Sequence, residues 1–191
     1  MARSGAEPIR RDAIVKATIH EVARAGSLEV TVAQIARRAG VSSALAHHYF
    51  GSKEAIFVAA MRHVLIVWGA EVRGALATAD TPRERVEAIV RASFSASSFR
   101  RESVAAWLNF YVLAQTMPDA RRLLSVYRRR MQSNLVHSLR PLVGVRAGRV
   151  ADGLGALIDG VYLRQALAGT TPDRQAAAAL VLDYLAREVA E

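Results

Sequence analysis

Residues 31–57 read TVAQIARRAGVSSALAHHYFGSKEAIF, and the fold turns on how these residues are divided. Thr31 and Gln34 form a capping box that opens a short helix. Gly40 supplies a sharp turn, and Ser42 can cap a second short helix that ends near Phe50. Gly51 and Ser52 restart the chain into a long helix through about Leu76. Two helices can cross this tightly only if their facing residues are small. Ala36 and Ala39 stand where bulk would part them, while Ile35, Val41 and Phe50 can fill the shared core. This is the pattern of a helix-turn-helix, whose second helix enters a major groove while the first braces it across the backbone.

The outward face of that second helix carries Ser43, Ala44 and His47 at i, i+1 and i+4, where they can reach base edges. Tyr49 and Lys53 suit phosphate oxygens, Lys53 at the start of a helix whose amides favour anions. With the capping hydroxyls of Thr31 and Ser42, the expected DNA-facing set is Thr31, Ser42, Ser43, Ala44, His47, Tyr49 and Lys53.

Working outward, helical periodicity continues almost everywhere, and no stretch alternates with a period of two between hairpin turns. The expectation is an all-α chain of about nine helices. Val15, Ile19, Val22 and Ala23 stripe a first helix from about Arg10 to Ala25, which Gly26 can end in a left-handed cap. Thr81, Pro82 and Glu84 announce a helix reaching about Phe99. Pro118 divides the next two helices, and Pro141 is expected to close the second of them. Two more are expected over roughly Arg146 to Ala168 and Pro172 to Val189, the last started by Thr171. The domain division falls near residue 60, giving a basic trihelical unit over 1–60 and an aromatic helical domain over 61–191.

The 31–57 stretch resembles the DNA-binding region of the TetR family of repressors, with pattern T-x-x-x-I-A-x-x-A-G-V-S followed by Y-x-x-F-x-x-K-E-x-L. Thr31, Ile35, Ala36, Ala39, Gly40, Val41, Ser42, Phe50, Lys53 and Glu54 match it as they stand. Ala46 replaces a usual leucine and His47 a common tyrosine, so base contacts are not carried over at these positions. Over the C-terminal half, AAWLNFYVLAQ, SNLVHSLRPL and ALIDGVYLRQAL resemble the choline-responsive repressors of that family. The resemblance implies a homodimer on double-stranded operator DNA that controls choline uptake and glycine betaine synthesis genes and is released by choline. A relative that senses another amine or a lipid-like effector is the alternative within the family.

The residues permit such a ligand. Trp107 and Tyr111 lie one turn apart on one helical face, with Phe110 beside them, so their rings can confront a quaternary ammonium. Trp68, Phe94 and Tyr127 can add walls. Asp159 and Asp152, seven apart on one helix, can add a carboxylate. The expected ligand set is Trp107, Tyr111, Phe110, Trp68 and Asp159, although aromatic stripes at this spacing also serve as plain core. The helix over 146–168 carries Gly148, Gly153, Gly155 and Gly160, a destabilising load unless another helix approaches closely. Leu154, Leu157, Ile158 and Val161, with Val181 and Leu185 of the last helix, form the expected four-helix dimer interface, the arrangement usual in TetR proteins.

Composition bounds the remaining classes. With 191 residues, 52% apolar and 23% charged, the chain can bury a sizeable core. A net charge of +9 attracts polyanions. The absence of cysteine excludes disulfides, thiolate nucleophiles and thiolate metal sites. Neither His47 with His48 nor His20 with Glu21 has the i, i+4 spacing of a metal pair, and no serine lies in a nucleophile elbow. No catalytic residue, metal or cofactor is therefore expected. AIFVAAMRHVLIVWGAEV is interrupted by Arg62, His63 and Glu71, and the N-terminus has no signal-like apolar region. The expected setting is cytoplasmic, with no membrane partner. A helical carrier or interaction protein is the rival of another class, but it leaves the helix-turn-helix and Lys53 without a task.

Overall fold

The computed structural model describes residues 6–190, and among these the chain forms nine α-helices and no strand. They are α1 (Ala6–Ala25), α2 (Val32–Ala39), α3 (Ser43–Phe50), α4 (Lys53–Leu76), α5 (Pro82–Ser93), α6 (Arg101–Thr116), α7 (Pro118–Val143), α8 (Ala147–Leu167) and α9 (Arg174–Ala190). The described residues separate into two compact units, one of residues 6–66 and 100–123, the other of residues 67–99 and 124–190.

In the first unit, α1, α2 and α3 close around Ile14, Val22, Val30, Ile35, Ala46 and Ile56, and Leu113 of α6 packs against the same cluster. The turn works as the sequence requires. Gly40 adopts φ 69°, and the Val41 and Gly40 amides donate to the carbonyls of Ala36 and Arg37 at 3.0 and 3.3 Å. That is a Schellman closure, which needs a left-handed residue. A Cβ at Gly40 would meet nothing within 4 Å, so backbone conformation, not space, selects glycine here. Ile35 and Ala36 are buried, and Ala39, Val41 and Phe50 pack against the cluster.

The second unit is built from the rest of α4, α5, most of α7, α8 and α9. The capping box at Thr81 is present in full, with Glu84 N–H donating to Thr81 Oγ1 and Thr81 N–H to Glu84 Oε2. α5 nevertheless ends at Ser93, short of the expected Phe99. Ser93 Oγ donates back to the Ile89 carbonyl, while Ser95 and Ser97 donate to Glu71. Clustered hydroxyls offer the backbone an alternative to the helix, and residues 94–100 form turns.

Three other boundaries differ from expectation. α1 begins at Ala6, before Arg10. Pro141 does not close α7 but lies inside its last turn, where the missing N–H costs a single hydrogen bond before Gly144, at φ 58°, ends the run. Thr171 does not start α9; Asp173 does, its Oδ1 accepting from Ala176 N–H at 2.9 Å.

The glycine load of α8 is met only in part. A Cβ at Gly153 would fall 2.3 Å from Tyr184 Oη of α9, so this glycine makes room for a neighbouring ring, whereas Gly148 and Gly160 face nothing within 4 Å. The expected dimer residues are also corrected. Leu154, Ile158, Val161, Val181 and Leu185 are buried within the chain itself, because α8 and α9 turn these apolar stripes into their own unit's core. Leu157 is half-buried.

α4 is long and apolar enough, by length and composition alone, to cross a membrane, with a mean hydropathy of 1.6. It carries Arg62, His63 and Glu71, however, and buries Ile56, Phe57, Ala60, Met61 and Val72 in the fold.

Candidate DNA interface and effector site

α3 is short because it is capped at both ends. Ser42 Oγ accepts from Leu45 N–H at 3.1 Å, and Gly51, at φ 81°, returns its N–H to the His47 carbonyl at 2.7 Å. Between these caps Ala46 is fully buried. A small residue there lets α3 lie close on its neighbours, which gives the departure from the family's leucine a physical setting. Burial of Ala46 turns Ser42, Ala44, His47 and His48 outward; all four are exposed, and Ser43 and Tyr49 are half-buried. His47 Nδ1 lies 3.4 Å from the Gly51 carbonyl.

Tyr49 has a partner that local spacing does not reveal. The Arg11 guanidinium of α1 lies 5.3 Å from the Tyr49 ring centre and 5.2 Å from that of Phe50. Cation–π contact of this kind fixes a positive charge beside the phenol. Lys53 is half-buried, its Nζ 5.4 Å from the Phe57 ring centre one turn on. Glu54, next to it, is held below the usual carboxylate range, chiefly by its own backbone N–H and then by the Ser52 hydroxyl. An acidic side chain therefore already occupies part of the anion-favouring start of α4.

The supporting clamp is Glu21. This buried carboxylate of α1 accepts from Arg24 Nη2 at 2.9 Å and from Arg38 of α2, tying the bracing helix of the motif to α1. Thr31 is exposed at the N-cap of α2, where Gln34 N–H donates to its Oγ1 at 3.2 Å.

The expected ligand residues fall into separate groups. Trp107, Phe110 and Tyr111 are together in the first unit, with ring centres 5.6, 6.0 and 6.4 Å apart. Trp107 and Phe110 are buried, and they border an apolar space with α1 and α4 of about 30 Å³, room for about two waters. No carboxylate borders it. These two rings act as packing for α6 and not as an open cage.

In the second unit Trp68 meets Tyr127 edge-on, with centres 4.7 Å apart. Tyr127 in turn borders a cleft of about 340 Å³ that also holds Asp159 and Asp152. Asp159 is half-buried, and burial raises its pKa above the ordinary carboxylate value, against a smaller opposing pull from Arg128. Phe94 stacks on Phe99, 6.3 Å away, and Phe99 on Tyr162, 5.1 Å away. Tyr162 Oη donates to the Ser98 carbonyl at 2.9 Å. Among the described residues no group of three or more metal-ligating side chains is present.

Comparison with known proteins gives this geometry a context. Residues 14–60 match the family model described as bacterial regulatory proteins, tetR family, and residues 82–190 that described as BetI-type transcriptional repressor, C-terminal. The chain is 51% identical over 187 residues to the HTH-type transcriptional regulator BetI of Brucella anthropi, covering 97% of this chain and 96% of that protein. The BetI regulator of Rhizobium meliloti is 47% identical over 186 residues, covering 97% and 92%. A transcriptional regulator from Pseudomonas aeruginosa PAO1 shares the fold with a TM-score of 0.84 and 26% identity, over 94% of this chain and 90% of that one. A regulator from Saccharomonospora viridis, solved in complex with choline, has a TM-score of 0.81 and 23% identity over 92% and 95%.

Proposed function

Since the chain belongs to the TetR family of bacterial regulators and carries a BetI-type C-terminal domain, we propose that choline is the effector that releases it from its operator. The protein is a DNA-binding transcriptional repressor, and regulators of its family dimerise, bind operator DNA and respond to small molecules. The observation that carries the DNA-binding half is α3 itself, an eight-residue helix capped at both ends, with Ala44 and His47 exposed on it and Ser42 exposed at its N-cap. Two-fold pairing then presents two such helices to successive major grooves, so the operator is a palindrome.

In this reading residues 1–60 read DNA and residues 61–191 bind effector and dimerise. Thr31, Ser42, Ser43, Ala44, His47, Tyr49 and Lys53 meet the duplex, joined by Arg11 through its hold on Tyr49. The chain-to-chain contact uses faces left outside the core: Leu163 and Leu167 of α8, one turn apart, and Leu180 of α9, all exposed in the single chain. Choline is supported by the name BetI among relatives of this identity and by the choline complex of the Saccharomonospora viridis regulator. Its targets are genes of choline uptake and glycine betaine synthesis.

Release requires that choline bind the DNA-incompetent state more tightly, by about 1.4 kcal/mol for each tenfold loss of operator affinity. An operator duplex selected from a random pool, titrated at fixed salt with and without choline, is expected to bind at least about tenfold more weakly with it. Equal affinities would reject choline as the effector and leave DNA binding standing.

A further inference from the structure

We infer that the cleft between α7 and α8 is the binding site for a small quaternary ammonium, with Asp159 as its counter-charge, Tyr127 as its aromatic wall and Arg128 as the internal cation that it displaces. The inference rests on the ammonium-effector reading above and assigns its site.

Three observations converge on this cleft. It has room: about 340 Å³, bordered by Tyr127, Arg128 and Met131 of α7 and by Asp152, Gly155 and Asp159 of α8. Gly155 lies on its floor, where a Cβ would make only ordinary contact with Met131 Sδ at 4.0 Å. It also has a carboxylate to which no side chain of the cleft is bonded. Asp159 is half-buried, and among the described residues it makes no hydrogen bond and no ion pair within 4.0 Å. Removing a carboxylate from water is costly unless a cation compensates it, and burial leaves its proton held more tightly than usual. Among the described residues the compensating charge is the longer-range pull of Arg128, an exposed side chain free to turn back to solvent.

The cleft has a fixed ring as well. Tyr127 is buried to 7% exposure and held edge-on by Trp68. A quaternary ammonium has no N–H to donate, so charge and ring faces are what recognise it. By contrast, the space beside Trp107 and Phe110 is about 30 Å³ with no acid on its border, which a trimethylammonium group cannot enter without unpacking α6.

Arg128 sets the sign of the test. If it competes with the ligand for Asp159, removing it must tighten binding, an effect that misfolding does not produce. Full-length protein, its Asp159→Asn variant and its Arg128→Gln variant are titrated calorimetrically with choline and with tetramethylammonium. Asp159→Asn is expected to weaken binding by about tenfold or more, and Arg128→Gln to tighten it by about threefold. If tetramethylammonium follows this pattern while choline does not bind, the site stands and the choline reading fails. If choline binds all three proteins alike, or Arg128→Gln weakens binding, the site is wrong while choline stands. Absence of binding of either cation to the parent protein overturns both.

Discussion

Replacing Ala44 by glutamate is expected to weaken operator binding by about 100-fold, because a carboxylate on the exposed face of α3 would meet base edges and phosphates that the alanine methyl can approach closely. The helix should tolerate the change. Ala44 is exposed and is the second helical residue after the Ser42 cap, where a negative side chain interacts favourably with the helix dipole. Ala44→Glu should therefore lose DNA affinity in an anisotropy titration while its thermal midpoint stays within about 2 °C of the parent. Affinities within twofold of each other would remove α3 from the contact surface.

The second large effect concerns Glu21. The Arg38 hydrogen bond is the main reason that its pKa lies below the usual carboxylate range; burial opposes this, and Arg24 adds to it. Losing one partner of a fully buried pair costs about 3–5 kcal/mol. Here the arginine side chains are 39% and 55% exposed and partly hydrated in either case. Arg38→Met, which keeps the apolar stem, is thus expected to cost about 2 kcal/mol.

A folded-state pKa below the unfolded one gives stability that is complete above the unfolded value and is lost as pH falls through the folded one. Glu21→Gln has no such charge to lose. Urea midpoints of the parent and this variant should differ most near neutral pH and converge in acid. A gap that stays constant would show that the clamp does not act through the carboxylate charge.

These two sites differ in how far the sequence exposes them. α3 and its turn were legible because every signal lies within a few residues: Thr31 with Gln34, Gly40, Ser42, and small residues at the crossing. The same local rules place Thr81, Pro82 and Glu84 correctly at the start of α5. Glu21 with Arg38, and Arg11 with Tyr49 and Phe50, join helices distant along the chain, and no periodicity points to such pairs.

The aromatic stripe of α6 was ambiguous for a related reason, since cage and core share its spacing. Spacing puts Trp107, Phe110 and Tyr111 on neighbouring faces of α6 but does not say that two of them fill a space against α1 and α4. The apolar stripes of α8 and α9 raised the same ambiguity, since a stripe built for a partner chain and a stripe built for the next helix look alike in sequence. Residues 93–98 misled through the serines, whose side chains compete with the helix once Glu71 is nearby.

Operator binding through α3 in a major groove implies a definite chemical footprint. Methylation interference tests it most directly, because the N7 atoms of guanine open only into that groove. On a duplex selected from a random pool, N7 methylation is expected to block binding in two symmetric half-sites about one helical turn or a multiple of it apart. Binding that proceeds unchanged on N7-methylated duplex would place α3 outside the major groove.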